Sequence, residues 1–424
     1  MEDAEESEGV QQSATRSFFV EAEELDGLIS EIVQAPPDDS QTEARFERAK
    51  VILDKYQELP QLLNPYLEGI LTPLISAVHK VVEAGDAPLA VDLHTIARLI
   101  YVVTKVRGYK STVHYLPHEV HLLEPVFHYY LRQEATPETW ELRYVLLLWL
   151  STIVLIPFNL ATVDSNDLSD GLVDSMVGAC QKALSDTGIV REGAAFLLSR
   201  LLTRPDTHQQ LQRFLQWTLP VLEAGPGSTD VFLEVGVLLT LAHVLKHGQR
   251  HELLHHVDAM AAIILQQSEA GGTANTLRSK LLLKIAQRIG TTYLPARPVS
   301  WQYQRGNRSL VANLAQVHGT GAAGAPSSPM ERGDAPQPHP DADDIDVPEQ
   351  VEDIVGLLLD GLNHRDTVVR WSAAKGLGRV SQRLPKDNAD EVLQAVLSNC
   401  FDLYEADSGW HGGCLCIAEL ARRG

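Results

Sequence analysis

His251-Glu252-Leu253-Leu254-His255 is a complete HExxH match. In that arrangement two histidines one helical turn apart bind zinc, and the glutamate between them activates a water for hydrolysis. The surrounding residues argue against it. Asp258 stands where a metzincin requires glycine, and no histidine follows at the third-ligand position. Asp258 or Glu269 could complete a ligand set, but Glu269 adjoins Gly271-Gly272, where a helix is expected to have ended. The chain has 16 histidines, and His243, His247, His251, His255 and His256 form a local histidine-rich elbow, so a chance match is unsurprising. The stretch therefore reads as a solvated helix start after a turn at Gly248. A zinc-dependent peptidase from residues 251–255 stays as a remote alternative.

Two further groups could suggest chemistry. Gly319-Thr320-Gly321-Ala322-Ala323-Gly324 matches GxGxxG, but that loop cradles a dinucleotide only between a strand and a helix, and here Pro-rich, acidic sequence follows. His411, Cys414 and Cys416 could suggest a metal, yet a helix turns about 100° per residue and sends the two cysteines to nearly opposite faces. Buried, small apolar cysteine is the better reading. No Ser/His/Asp set, P-loop or paired-carboxylate spacing stands out, so no catalytic, cofactor-binding or metal residue is assigned.

The elements that would position any site are helices. In Asp366 to Val380, DTVVRWSAAKGLGRV, Asp366 can cap a helix amino terminus, and Val369, Ala373, Leu377 and Val380 form one apolar stripe. Ala373 and Ala374 are small enough for a neighbouring helix to approach closely. Val190, Arg191, Ala194, Ala195, Leu198 and Leu201 repeat this pattern, and Trp410, His411, Cys414, Leu415 and Ala418 repeat it more loosely. Similar helices carry Arg143, Arg191 and Arg278, with an unmarked one around Glu234. The steps of 48 and then about 43 residues match HEAT and armadillo units, which stack as an α-solenoid. The fold class is thus all-α, a HEAT/armadillo-type α-solenoid, and alternating strand patterns are absent.

Composition bounds the function. With 44% hydrophobic residues the chain can fill a core, while 35 Lys and Arg against 56 Asp and Glu give a net charge of −21. That balance disfavours nonspecific binding to nucleic acid or anionic membrane. Residues 1–40 read as a disordered acidic tail with scope for a short helix, and they lack the basic start and apolar core of a secretory leader. Residues 41–316 read as repeats, 317–349 as a flexible Gly/Pro/Asp-rich loop, and 350–424 as further repeats. The apolar run Val145 to Ile156 is shorter than the ~20 residues that span a bilayer and reads as a buried helix. Cys180, Cys400, Cys414 and Cys416 show no disulfide framework, which fits a reducing cytoplasm.

Recognition on such a scaffold falls to basic and aromatic side chains. Lys105, Arg107 and Lys110 form one group, which placement at a helix carboxyl end stopped by Gly108 explains equally. Trp301, Tyr303, Arg305 and Arg308 form another, which could also be a packed elbow. Arg370 reads as a rung paired with an acid of an adjacent repeat, leaving Lys375 and Arg379 freer to face solvent.

In order along the chain, DKYQE at Asp54–Glu58, TKVRGYK at Thr104–Lys110, PHEV at Pro117–Val120, WELRYVLLLWLS at Trp140–Ser151, IPF at Ile156–Phe158, TRPD at Thr203–Asp206, KHG at Lys246–Gly248, YQRG at Tyr303–Gly306, VVRWSAAKGLGR at Val368–Arg379 and WHGGC at Trp410–Cys414 carry a resemblance to the tubulin-folding cofactor D family. The resemblance implies a noncatalytic solenoid that captures β-tubulin. With cofactors C and E and an Arf-like small GTPase, it would assemble or dismantle the αβ-tubulin heterodimer and stimulate GTP hydrolysis by its partners, in the cytoplasm and at the microtubule cytoskeleton. The HExxH residues do not belong to the family pattern. Family members run far beyond this length, so the chain resembles an amino-terminal portion whose last repeat should expose an apolar face and limit solubility. A generic HEAT adaptor or scaffold is the alternative.

Overall fold

Short polar caps and glycine stops define the helices. Asp92 accepts the Thr95 N–H at 3.2 Å, Asp230 the Phe232 N–H at 2.9 Å and Asn275 the Arg278 N–H at 3.1 Å, each satisfying an orphan donor of a first turn. Gly108, at φ +91°, ends the helix Leu93–Arg107 in a backbone state that other residues rarely adopt. The computed structural model describes residues 18–296 and 346–423, apart from 38, 86–90, 166–170, 225–229, 271–274 and 403–405. No strand occurs among the described residues.

Contacts divide the chain into two units, Met1–Leu253 with Glu269–Gly272, and Leu254–Ser268 with Thr273–Gly424. The first unit pairs α1 (Ala22–Gln34) with α2 (Thr42–Asp54), and α3 (Leu67–Ala84) with α4 (Leu93–Arg107). After the short α5 (Tyr109–Thr112) come the pairs α6 (Leu123–Arg132) with α7 (Trp140–Ile153), α8 (Leu172–Ala183) with α9 (Val190–Leu202), and α10 (His208–Glu223) with α11 (Val231–His247). The second members, α2, α4, α7, α9 and α11, lie side by side as one layer, with the first members packed behind them. One-turn α12 (Arg250–Leu253) and α13 (Val257–Ala270) follow. In the second unit α14 (Thr276–Tyr293), α16 (Thr367–Ser381) and α18 (Asp407–Arg423) form the corresponding layer, with α15 (Glu349–Gly361) and α17 (Lys386–Cys400) behind α16 and α18. This is the two-layer helical stacking of an α-solenoid.

Two expectations need correction. The stretch expected to be a disordered tail contains α1, whose Leu25, Ile29 and Ile32 are fully buried. Each of those side chains contributes about 1.5–3 kcal/mol of apolar burial, which a one-sided stripe on an acidic helix is enough to capture. Asp366 precedes α16 but makes no side-chain cap, because its carboxylate accepts the Thr276 hydroxyl of the preceding second helix. The expected loop from 317 and the GxGxxG residues lie outside the described residues up to position 345. The apolar run is largely buried, in α7 as far as Ile153 and with Leu155 exposed beyond its end, and among the described residues no helix is long and apolar enough to cross a membrane. Cys414 is exposed and Cys416 fully buried, as opposite faces require.

Neighbouring second helices are fastened at both ends. At the leading end, Arg143 of α7 reaches Asp186 before α9 at 3.3 Å, and Arg191 of α9 lies 5.7 Å from the Phe232 ring of α11. At the trailing end, Arg200 donates to the Ser151 carbonyl at 2.7 Å, and Arg204 to those of Val154 and Ile156, the latter at 2.9 Å. Arg370 serves the same purpose with a different partner than an acid: its Nε donates to His411 Nδ1 at 3.2 Å, while its Nη1 donates to the His364 and Arg365 carbonyls and its Nη2 to the Thr367 hydroxyl. Arg278 turns instead to Gln267, at 2.6 Å.

Candidate partner-binding surface

The second-helix layer of the first unit carries a strip of rings drawn from separate repeats. Tyr101 of α4 meets Trp140 at 4.7 Å and Tyr144 at 5.9 Å on α7, both edge-on. Tyr109 of α5 meets Phe196 of α9 at 4.9 Å, Phe196 meets His243 of α11 at 5.8 Å, and His243 stacks on His247 at 6.3 Å. The Arg200 guanidinium lies 4.3 Å over the Phe196 ring. Tyr109, Tyr144, Phe196 and His243 enclose a cleft of about 60 Å³ with Glu192 on its wall. Gly193 forms its floor: a Cβ there would come within 3.0 Å of Tyr144 Cδ2.

Burial sets the charge states along this strip. Burial pushes the Tyr109 and Tyr144 phenols up from their ordinary value, so both stay protonated at neutral pH, and burial pushes the Arg200 guanidinium down. Tyr144 and Phe196 are buried, whereas Tyr101, Tyr109, Trp140, Arg200 and His243 are half-buried, and aromatic and arginine side chains are the types enriched in interface hot spots. A larger cleft of about 610 Å³ lies at the trailing ends of α7 and α9, edged by Leu155 and Phe158, which are 55% and 57% exposed. Its charged wall is already satisfied, since Arg204 and Asp206 pair at 2.8 Å.

Of the residues expected from sequence, Lys105 lies 3.5 Å from Asp54 and Arg107 donates to Asn64 at 2.5 Å, so both serve the junction with the preceding repeat. Lys110 is exposed and follows Tyr109 in sequence. In the second unit, Lys375 sits 4.7 Å over the ring of Trp371, which is 49% exposed, and Arg379 follows one turn on. Trp301, Tyr303, Arg305 and Arg308 lie outside the described residues. Sequence reading missed Tyr109, Phe196, His243 and Trp371. Only Trp371 had a local mark, a large ring beside the apolar stripe of its own helix.

The HExxH residues do not share a continuous helix, because α12 ends at Leu253 before His255. Glu252 lies 3.7 Å from His208 and 3.8 Å from His251, and Asp258 accepts the Tyr293 hydroxyl at 2.5 Å. Among the described residues no group of three or more His, Cys, Asp or Glu is arranged to hold a metal ion.

Paired helices in two layers, joined by arginine fastenings and presenting rings along one layer, define an armadillo-type repeat protein. Residues 53–222 match the family described as tubulin-specific chaperone D-like, ARM repeat, and residues 277–424 match its ARM repeats of the same description. The chain belongs to the tubulin-specific chaperone D-like family. It is 27% identical over 444 aligned positions to tubulin-folding cofactor D of Schizosaccharomyces pombe, covering 100% of this chain and 36% of that protein. It is 26% identical over 523 positions to tubulin-specific chaperone D of Dictyostelium discoideum, covering 96% of this chain and 35% of that one. The chain therefore spans about a third of the length of these relatives.

Proposed function

We propose that this chain is a noncatalytic tubulin chaperone that holds β-tubulin on its second-helix layer. In this reading it acts with cofactors C and E and an Arf-like small GTPase to assemble and dismantle the αβ-tubulin heterodimer. It contributes to GTP hydrolysis by those partners, in the cytoplasm and at the microtubule cytoskeleton. The observation that carries the reading is the ring strip crossing several repeats of a chain from this family. With a net charge of −21, the chain gains little long-range attraction to an acidic partner such as tubulin, so capture rests on apolar contact and a few local cations.

Tubulin pull-down by the full chain tests this. Tyr109→Ala, and separately Arg305→Glu with Arg308→Glu, are expected to reduce capture about tenfold, equivalent to about 1.4 kcal/mol. Capture unchanged in both variants, or cargo other than tubulin recovered in its place, would overturn the assignment.

A further inference from the structure

Glu192 stands in the first turn of α9 and lines the small cleft together with Tyr109, Tyr144 and Phe196. Its side chain is exposed and makes no hydrogen bond or ion pair with any described residue. Three other acids along the same layer are answered from a neighbouring repeat: Glu43 holds Arg98 at 2.6 Å, Asp54 lies 3.5 Å from Lys105, and Asp186 lies 3.3 Å from Arg143. A helix amino terminus favours a carboxylate in its first turn, which accounts for an acid at this position. It does not account for the rings from α5 and α7 gathered against that acid.

The phenols report how close the carboxylate is. Burial first, and then the Glu192 charge, push the Tyr144 hydroxyl up from its ordinary value. At Tyr101 burial and Glu141 come first, and at Tyr109 burial is opposed by Arg200, but Glu192 raises both. Ring faces carry the negative side of the aromatic quadrupole, so rings and carboxylate together favour a cation. Arg200, which lies over the Phe196 ring, lines the trailing-end cleft and not this one. Size narrows the occupant further. A volume of about 60 Å³ admits roughly four water-sized groups, the tip of one side chain, and falls well short of the ~300 Å³ at which small-molecule pockets begin.

We propose that this cleft receives the head of one lysine side chain presented by a partner protein, its ammonium meeting Glu192 and its methylenes lying against the rings of Tyr109, Tyr144 and Phe196. An ammonium on a flexible apolar stem matches a wall that is part carboxylate and part ring. An apolar side chain is the poorer occupant, because it would cover Glu192 without answering its charge. The acidity of the whole chain adds to the attraction for a cation. The inference rests on the reading that this layer receives a partner, and it names the chemistry of one contact there.

Fluorescence anisotropy with a labelled peptide of lysines alternating with glycines, titrated with the full chain, tests the proposal, beside the same peptide with glutamine in place of each lysine. The expected result is saturable binding of the lysine peptide, about tenfold tighter than that of the glutamine peptide and about tenfold weaker in Glu192→Gln. Tyr109→Leu removes a ring but no charge and should weaken binding about threefold. Glu68→Gln, an exposed change on α3 in the first-helix layer, should alter binding by less than about twofold. Glu192 and Glu68 are both exposed, so unchanged circular dichroism is expected for both variants. No binding by the natural chain, equally tight binding of the glutamine peptide, binding undiminished in Glu192→Gln or Tyr109→Leu, or an equal loss in Glu68→Gln would overturn it. Tubulin capture by a chain that fails these tests would leave the proposed tubulin function standing, and lysine-peptide binding without tubulin capture would overturn that function alone.

Discussion

Arg204 and Arg383 occupy equivalent positions in two repeats and reach back the same way, each donating to backbone carbonyls at the end of the preceding second helix. Arg204 adds the Phe158 carbonyl at 2.7 Å and both oxygens of Asp206. It is only 8% exposed, so its removal strands several buried acceptors at once. Arg204→Ala is expected to cost about 3–5 kcal/mol in urea unfolding, and Arg204→Lys to recover only part of it, since an ammonium cannot reproduce the planar fork. A lysine variant as stable as the natural chain would show that the fork is not what matters.

Asp206 gives the same junction a pH dependence. Burial alone would raise its carboxyl, but the Arg204 guanidinium and the Leu160 N–H hold it below the ordinary range. A carboxylate depressed in the folded state contributes stability above its unfolded value and loses it as pH falls through the folded one. Stability should therefore lose this contribution below about pH 4. Asp206→Asn should start about 1–3 kcal/mol lower at pH 7 and lose less on acidification. Parallel acid-unfolding curves for the two proteins would contradict this.

Close helix approach sets a further test. A Cβ at Gly236 would strike the Leu184 carbonyl oxygen, and one at Gly412 the Leu362 carbonyl oxygen, so each helix would have to move bodily. Gly236→Ala and Gly412→Ala should each destabilise by about 3 kcal/mol. Gly356, in α15, has nothing within 4 Å of its absent Cβ, and Gly356→Ala should stabilise by about 0.5–1 kcal/mol through helix propensity. Thermal unfolding of the three variants checks the contrast, and uniform losses would refute it.

Trp371 offers a separation of binding from folding. It is 49% exposed and covered on one side by Lys375, so Trp371→Ala should cost under about 1 kcal/mol of stability. Partner capture, assayed on the same sample, should fall about tenfold if the ring is an anchor. A loss of stability without a loss of capture would assign the ring to packing instead.

The repeat pattern was legible because Arg143, Arg191, Glu234 and Arg278 follow one another at near-constant spacing and Arg370 heads a copy of the Arg191 helix pattern, and the leading-end contacts of Arg143, Arg191 and Arg370 repeat in the structure. Partner identity was not legible. Asp366 looks like a cap in isolation, but the Thr276 hydroxyl that claims it comes from the preceding second helix. Likewise, His411 stands where the pattern led one to expect an acid. Tyr109, Phe196 and His243 converge from three helices, and no local spacing relates them. The buried side of α1 was hidden by the acidic residues on its exposed side, which dominate composition although Leu25, Ile29 and Ile32 decide the packing.

Fastening at both ends changes how a repeat can yield. A pair of helices clamped only at its middle can rock like a seesaw, whereas α7 and α9, gripped by Arg143 in front and by Arg200 and Arg204 behind, have no free pivot. A pull on Phe196 is therefore passed to α7 before it can tilt α9 alone. Within the first unit, the rings of the strip are mounted on helices that must give way together, so a load on one ring is borne by the stack.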